Sequence, residues 1–213
     1  MTQSRRLPVY LLLDCSGSMS GEPIQAVQQC IKSLLSELRG DPMALETAFL
    51  SIITFDSSAH TLLPLTELTQ VQAPVIQAGG ATSLGAALKL LSSSMDQDVR
   101  KSTADQKGDW KPMVFLMTDG MPTDDWENAA ETIKQKKPAN IIACAAGPGS
   151  DENLLKKITE IVVKLETLQP EALAAFFKWV SDSIKVTSQS VTQVMADAPI
   201  NLPPPPPQIT IVP

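Results

Sequence analysis

Cysteine, histidine and aromatic residues are scarce in this 213-residue chain, which has three Cys, one His and 4% Phe, Trp and Tyr. Cys15, Cys30 and Cys144 are odd in number and scattered, with no CxxC pair. Neither a disulfide framework nor a zinc site is indicated, and a reducing cytosol fits best. The lone His60 falls in a predicted hairpin strand with no nucleophile beside it, which argues against general-base chemistry. No GxGxxG and no GxxxxGKS/T occurs, so glycine-rich phosphate loops are missing. Long apolar runs are missing too. The run after the polar, basic residues 1–6 spans about seven residues and ends in an aspartate, too short for a signal core or a transmembrane helix. Positive charge is the minority, 17 Lys plus Arg against 23 Asp plus Glu. A net charge of −6 speaks against nucleic acid as a partner and in favour of solubility.

Short apolar runs alternate with helical periodicities along the chain. Residues 9–13 form an unbroken apolar run that reads as a buried strand, followed by Ile24, Val27, Ile31, Leu34, Leu35 and Leu38 at amphipathic-helix spacing. Pro23 suits the first turn of that helix, and Arg39-Gly40 its stop. Residues 47–55 read as a second strand, with 59–65 returning as its hairpin partner after Asp56-Ser57-Ser58. Further helices are expected from Leu84, at 126–136, at 151–159 and at 170–186. Strands are expected at 113–117, 140–146 and 161–165, and residues 96–111 read as mostly a surface excursion. The pattern implies a doubly wound α/β domain over residues 1–190, with a mostly parallel sheet, one antiparallel edge strand and helices on both faces. Residues 191–213, with prolines 203–207, read as a C-terminal tail, a stiff solvated end in extended polyproline form or, alternatively, a segment that docks into a proline-binding groove.

Two strands end in an aspartate. The first delivers Asp14-Cys15-Ser16-Gly17-Ser18, and the 113–117 strand delivers Thr118-Asp119-Gly120. In an open α/β sheet ligands bind beyond the carboxyl ends of the strands. An Asp-x-Ser-x-Ser match arises by chance about once in twenty chains of this size, so position carries the argument. Thr82, behind Gly79-Gly80, falls in a third loop expected at the same edge. Asp14, Ser16, Ser18, Thr82 and Asp119 all offer oxygen, the donor preferred by a hard cation. Cys15 should turn into the core by strand alternation.

This three-part pattern resembles the metal-ion-dependent adhesion site of von Willebrand factor type A domains, with all five positions unsubstituted. The resemblance implies that Ser16 and Ser18 bind metal directly, that Thr82 binds directly or through water, and that Asp14 and Asp119 hold waters or bind directly. Mg²⁺ is the implied ion, with Mn²⁺ or Ca²⁺ as alternatives. Neutral hydroxyls leave such a cation electrophilic, so a partner's Asp or Glu can complete the octahedral shell. Trp126, Met19 and Met121 flank the metal loops and are expected to contact that partner. The pieces around Asp14, Gly79 and Thr118 look like compact bacterial A-domain proteins of the TerY type. That resemblance implies a cytoplasmic, non-enzymatic scaffold in a tellurite-resistance or stress-response system, with kinase and phosphatase partners. Two alternatives stand beside it. One is an A-domain subunit of a chelatase-type AAA motor. The other is a metal-dependent phosphohydrolase, which needs a second carboxylate where Ser16 stands.

Overall fold

The computed structural model describes residues 5–193, 200 and 202–213. Its sheet has seven strands in the order β3-β2-β1-β4-β5-β6-β7. In sequence these are β1 Leu7–Asp14, β2 Ala48–Phe55, β3 Ala59–Glu67, β4 Met113–Thr118, β5 Asn140–Ala146, β6 Ile161–Leu165 and β7 Ile209–Val212. Four adjacent pairs, β2–β1, β1–β4, β4–β5 and β5–β6, are parallel, whereas β3 pairs antiparallel to β2 and β7 antiparallel to β6. The expected mostly parallel sheet with an antiparallel edge strand forms, and β7 adds a second antiparallel edge.

Alternation along the strands splits the core into two layers. Val9, Leu11 and Leu13 of β1, with Met113, Phe115 and Met117 of β4, pack against α1 (Glu22–Arg39) and α6 (Pro170–Gln193). Tyr10 and Leu12, with Val114 and Leu116, face α3 (Leu84–Asp98), α4 (Glu127–Lys136) and α5 (Glu152–Lys156). All eight residues of β1 are buried, as a central strand covered on both faces requires. Among the described residues no helix is long and apolar enough to cross a membrane.

Three elements depart from the sequence reading. A short helix, α2 (Pro42–Thr47), precedes β2 where no element was expected; Asp41 caps it by accepting the Ala44 N–H at 2.8 Å, and Pro42 starts it. The chain's end is not a solvated tail along its described length. Ile200 and Leu202 pack against the first core layer, the Trp179 indole donates to the Pro203 carbonyl at 2.9 Å, and Ile209 is buried as β7 pairs with β6. The physical reason is the β-branched run Ile209-Thr210-Ile211-Val212 meeting the unpaired backbone row on β6. Residues 194–199 and 201 of that expected tail lie outside the described residues. The expected 96–111 excursion starts inside α3, which runs to Asp98, and is pinned at its far end: Arg6 makes a bidentate contact with Asp109 at 2.9 and 2.5 Å, and Arg5 stacks over Trp110 at 3.4 Å.

One polar atom in the second layer has no counterpart. The Tyr10 hydroxyl is fully buried without a hydrogen-bond partner, and burial, reinforced by Asp98, pushes its ionisation well above the usual phenol range. A buried donor left unpaired costs about 1 to 3 kcal/mol. Tyr10→Phe is therefore expected to raise unfolding stability by about 1 kcal/mol in a urea titration; a lower midpoint would mean that the hydroxyl is paired in solution.

Candidate metal centre

Parallel pairing aligns Leu13 of β1 with Met117 of β4, so the residues that follow leave the sheet side by side. Asp14 is fully buried at the end of β1. Its Oδ1 accepts the Ser16 N–H at 2.8 Å and its Oδ2 accepts the Thr118 hydroxyl at 2.5 Å. Both oxygens are thus committed to organising the loop after β1 and tying it to β4. Asp119 takes the complementary position: its Oδ1 accepts the Ser18 hydroxyl at 2.9 Å and lies 3.5 Å from the Ser16 hydroxyl. The two serine hydroxyls are 3.1 Å apart. The turn Gly17–Met19 is a single 3-10 turn, which lets positions two apart present both hydroxyls to one carboxylate.

The Thr82 loop is laced to both of these. Gly79 N–H donates to the Cys15 carbonyl at 2.9 Å, and Gly17 N–H donates to the Gly80 carbonyl at 3.0 Å. Gly80 has φ +76°, a conformation that favours glycine, and a Cβ there would also crowd Ser57, 3.2 Å from its backbone nitrogen. On the other side the Thr82 carbonyl accepts the Thr123 N–H at 2.9 Å, and the Thr82 N–H donates to Thr123 Oγ1 at 3.1 Å. Thr82 Oγ1 lies 3.7 Å from the place a Cβ on Gly120 would occupy. Thr82 is nearly buried and sits between the loops that carry Ser16 and Asp119.

Burial holds the Asp119 carboxyl above the usual carboxylate range; hydrogen bonds from Ser18 and Ser16 oppose this, and the Asp14 charge adds to it. Among the described residues no three His, Cys, Asp or Glu side chains group to hold a metal ion. Any cation here would depend on hydroxyls for part of its shell. The donor set fits a hard divalent ion: a serine hydroxyl that donates its hydrogen to Asp119 keeps lone pairs free for a cation.

Other expected residues fall out differently. Met19 is fully buried in the first core layer, so it has no surface to offer a partner; the 3-10 turn rotates it inward beneath Ser18. Met121 is 54% exposed beside Asp119. Trp126 is half-buried against the second layer, with the Lys157 ammonium 5.3 Å over its ring. Cys15 is buried, and desolvation aided by Asp14 and Asp56 pushes its thiol up to about 12, which leaves it unreactive. His60 does have a hydroxyl beside it, contrary to expectation: Ser58 Oγ lies 2.7 Å from Nε2. The Asp56 carboxylate engages Ser58 rather than the imidazole, so this exposed pair lacks the group that orients a base in a catalytic triad.

Sequence reasoning missed Thr118, Thr123 and Asp124. Asp124 accepts the N–H groups of Gly85 and Ala86, each at 2.9 Å, and so caps α3 from 38 and 39 residues away. Gly85 permits this approach, since a Cβ would meet the Asp125 carbonyl at 2.4 Å. The one local clue is Ser83, a residue of good capping type whose side chain makes no capping bond.

The comparisons agree with this architecture. The proximal thread matrix protein 1 of the mussel byssus, in a structure described as having a zinc-occupied MIDAS motif, is 20% identical with a TM-score of 0.60 over 85% of this chain and 48% of that one. The vWF domain of the pilus tip protein Mfa5 from Porphyromonas gingivalis is 13% identical, with a TM-score of 0.64 over 87% and 97% of the two chains. The pilus adhesin SpaC from Lactobacillus rhamnosus GG is 15% identical, with a TM-score of 0.69 over 87% and 31%. The chain spans about half the length of the byssus proteins it matches. No curated protein sequence matches it significantly. At these identities the structures speak for the fold alone, whereas the family description "von Willebrand factor type A domain" matches residues 9–172. With more than three quarters of its length matched, the chain belongs to the von Willebrand factor type A domain family.

Proposed function

We propose that this domain is a non-enzymatic protein-interaction module that works through a divalent cation, with Mg²⁺ as the physiological ion. The observation that supports this most directly is the meeting of Ser16, Ser18 and Asp119, drawn from loops about a hundred residues apart, on one carboxylate oxygen. Ser16, Ser18 and Thr82 would supply neutral oxygens, and Asp119 the nearest charge. Asp14, with both oxygens already accepting hydrogen bonds, would orient the serines and hold water. When bound, the cation supplies a Lewis-acidic point for a carboxylate from a partner protein. Met121, exposed beside Asp119, would contribute apolar contact at the rim.

The loop pieces Leu13-Asp14-Cys15-Ser16-Gly17-Ser18-Met19 and Thr118-Asp119-Gly120-Met121-Pro122-Thr123-Asp124 support a finer reading as a TerY-like bacterial scaffold. On that reading the protein is cytoplasmic and serves a tellurite-resistance or stress response, with a kinase or phosphatase as the partner bearing the carboxylate.

Calorimetric titration with Mg²⁺ tests the metal reading. Wild type is expected to take up one ion, and Asp119→Ala to weaken uptake by about tenfold or more; no uptake of Mg²⁺, Mn²⁺ or Ca²⁺ by wild type would reject the proposal. Acidification supplies a second check. Because the Asp119 carboxyl is held above its ordinary range, a proton competes with the cation, so affinity should fall as pH is lowered and binding should release protons. An affinity that does not fall at any point as pH is lowered would count against Asp119 as a ligand. The third concerns Asp124→Ala, which frees two N–H groups of α3 and loosens the Thr82 loop. It should cost about 1 kcal/mol of stability. Mg²⁺ affinity should fall more than Ca²⁺ affinity, since Mg²⁺ demands stricter geometry; parallel titrations with the two ions measure the ratio.

A further inference from the structure

At the pole opposite the metal loops, the strands β4, β5 and β6 begin around a cleft of about 230 Å³. Its floor includes Ile133, Ala139, Ile141 and Ile158, all buried, and its rim carries Lys111, Lys134 and Lys137, all exposed. These lysines come from two separate parts of the chain: Lys111 leads into β4, while Lys134 and Lys137 belong to the end of α4. None has a carboxylate within ion-pair distance among the described residues, although Glu160 shares the cleft and the Lys134 ammonium donates to the Lys156 carbonyl at 3.3 Å. Elsewhere Lys157, Lys164, Lys178 and Lys185 are each paired with Asp or Glu, whereas the exposed Lys32 and Lys89 are single charges outside any such cluster. In a chain of net charge −6, three unneutralised ammonium groups around one apolar-floored cleft form a local field of the opposite sign.

The ordinary explanation covers only part of this. Lysines in the last turn of a helix complement its macrodipole, which accounts for Lys134. It does not account for Lys111, which lies outside any helix, nor for the backbone of Lys137. Lys137 terminates α4 in the left-handed conformation, φ +44° and ψ +49°, and is the one non-glycine residue with positive φ among the described residues. Glycine is the residue that adopts this capping conformation without strain. Lysine there costs stability and places an ammonium on the cleft rim.

We propose that this cleft docks an acidic peptide segment of a partner protein, with its carboxylates on Lys111, Lys134 and Lys137 and an apolar side chain on the isoleucine floor. The apolar floor favours a peptide over a bare phosphate, and the acidic balance of the chain as a whole disfavours nucleic acid. The site is separate from the metal loops, so the domain would hold acidic partners at both ends of its sheet.

Lys137 allows the test to separate docking from folding. A fluorescent peptide of alternating Glu and Leu is titrated by anisotropy at low salt, in excess chelator so that the metal end takes no carboxylate. Wild type is expected to bind, with affinity falling as salt rises. Lys137→Gly should weaken binding by about threefold while thermal stability holds or increases, and adding Lys111→Gln and Lys134→Gln should bring the loss to about tenfold or more. The double variant Lys32→Gln, Lys89→Gln, matched in charge to Lys111→Gln, Lys134→Gln, should bind like wild type. The proposal is overturned by any of three results: no binding by wild type, equal weakening by the two double variants, or displacement of the peptide by inorganic phosphate at equal concentration.

Discussion

Parallel pairing of β1 with β4 is the constraint on which the site depends. The two strands are neighbours in the sheet although about a hundred residues separate them in the chain, and their register ends with Leu13 opposite Met117. Chain order reverses at this pair: the sheet runs from β1 outward to β2 and β3 on one side and through β4 to β7 on the other. Connections leaving such a pair turn to opposite faces and open a crevice at the carboxyl ends. Asp14 and Asp119 emerge into that crevice because each strand is too apolar to end elsewhere. Shifting the β1–β4 register by one residue would move Ser16 and Ser18 away from Asp119 and turn every core side chain of β1 to the wrong face.

Two buried or nearly buried carboxylates close together would ordinarily destabilise the fold, since a buried charge is tolerated only when paired and hydrogen-bonded. Here the cost is offset by donors: Asp14 accepts a backbone N–H and the Thr118 hydroxyl, and Asp119 accepts serine hydroxyls. The remaining strain shows in the Asp119 carboxyl, which burial and Asp14 hold toward its neutral form. A bound divalent cation would offset the same crowding of negative charge, which links the pocket's electrostatics to the proposed binding role. The loops are held by contacts outside the donor set. Thr123 and Asp124 clamp the Thr82 loop and the start of α3, and Gly80 and Gly85 admit the close approaches.

The two poles of the sheet carry different chemistry on one scaffold. Oxygen donors cluster where the strands end, and unneutralised lysines cluster where β4 to β6 begin. A rigid sheet covered by helices on both faces keeps these poles apart, so occupation of one need not disturb the other.

Local chemistry was legible from residue order alone. The apolar run 9–13 read as a covered strand, the 24–38 spacing as an amphipathic helix, and Asp14-x-Ser16-x-Ser18 at a strand's end marked the edge where a ligand site forms. Met19 was misplaced because chain proximity to Ser18 does not reveal which way a 3-10 turn rotates a side chain, and β7 was missed because its partner strand lies more than forty residues upstream. The capping of α3 by Asp124 was hidden for a like reason: a hydrogen bond has no sequence signature unless its partners are neighbours. Periodicity, strand ends and oxygen-bearing residue types were therefore determined by the sequence itself, since they follow from backbone geometry and side-chain chemistry within a few residues. Which loops converge, which polar groups find partners and which lysines stay unneutralised was decided only by the tertiary structure, because those depend on distances that close only when the sheet assembles.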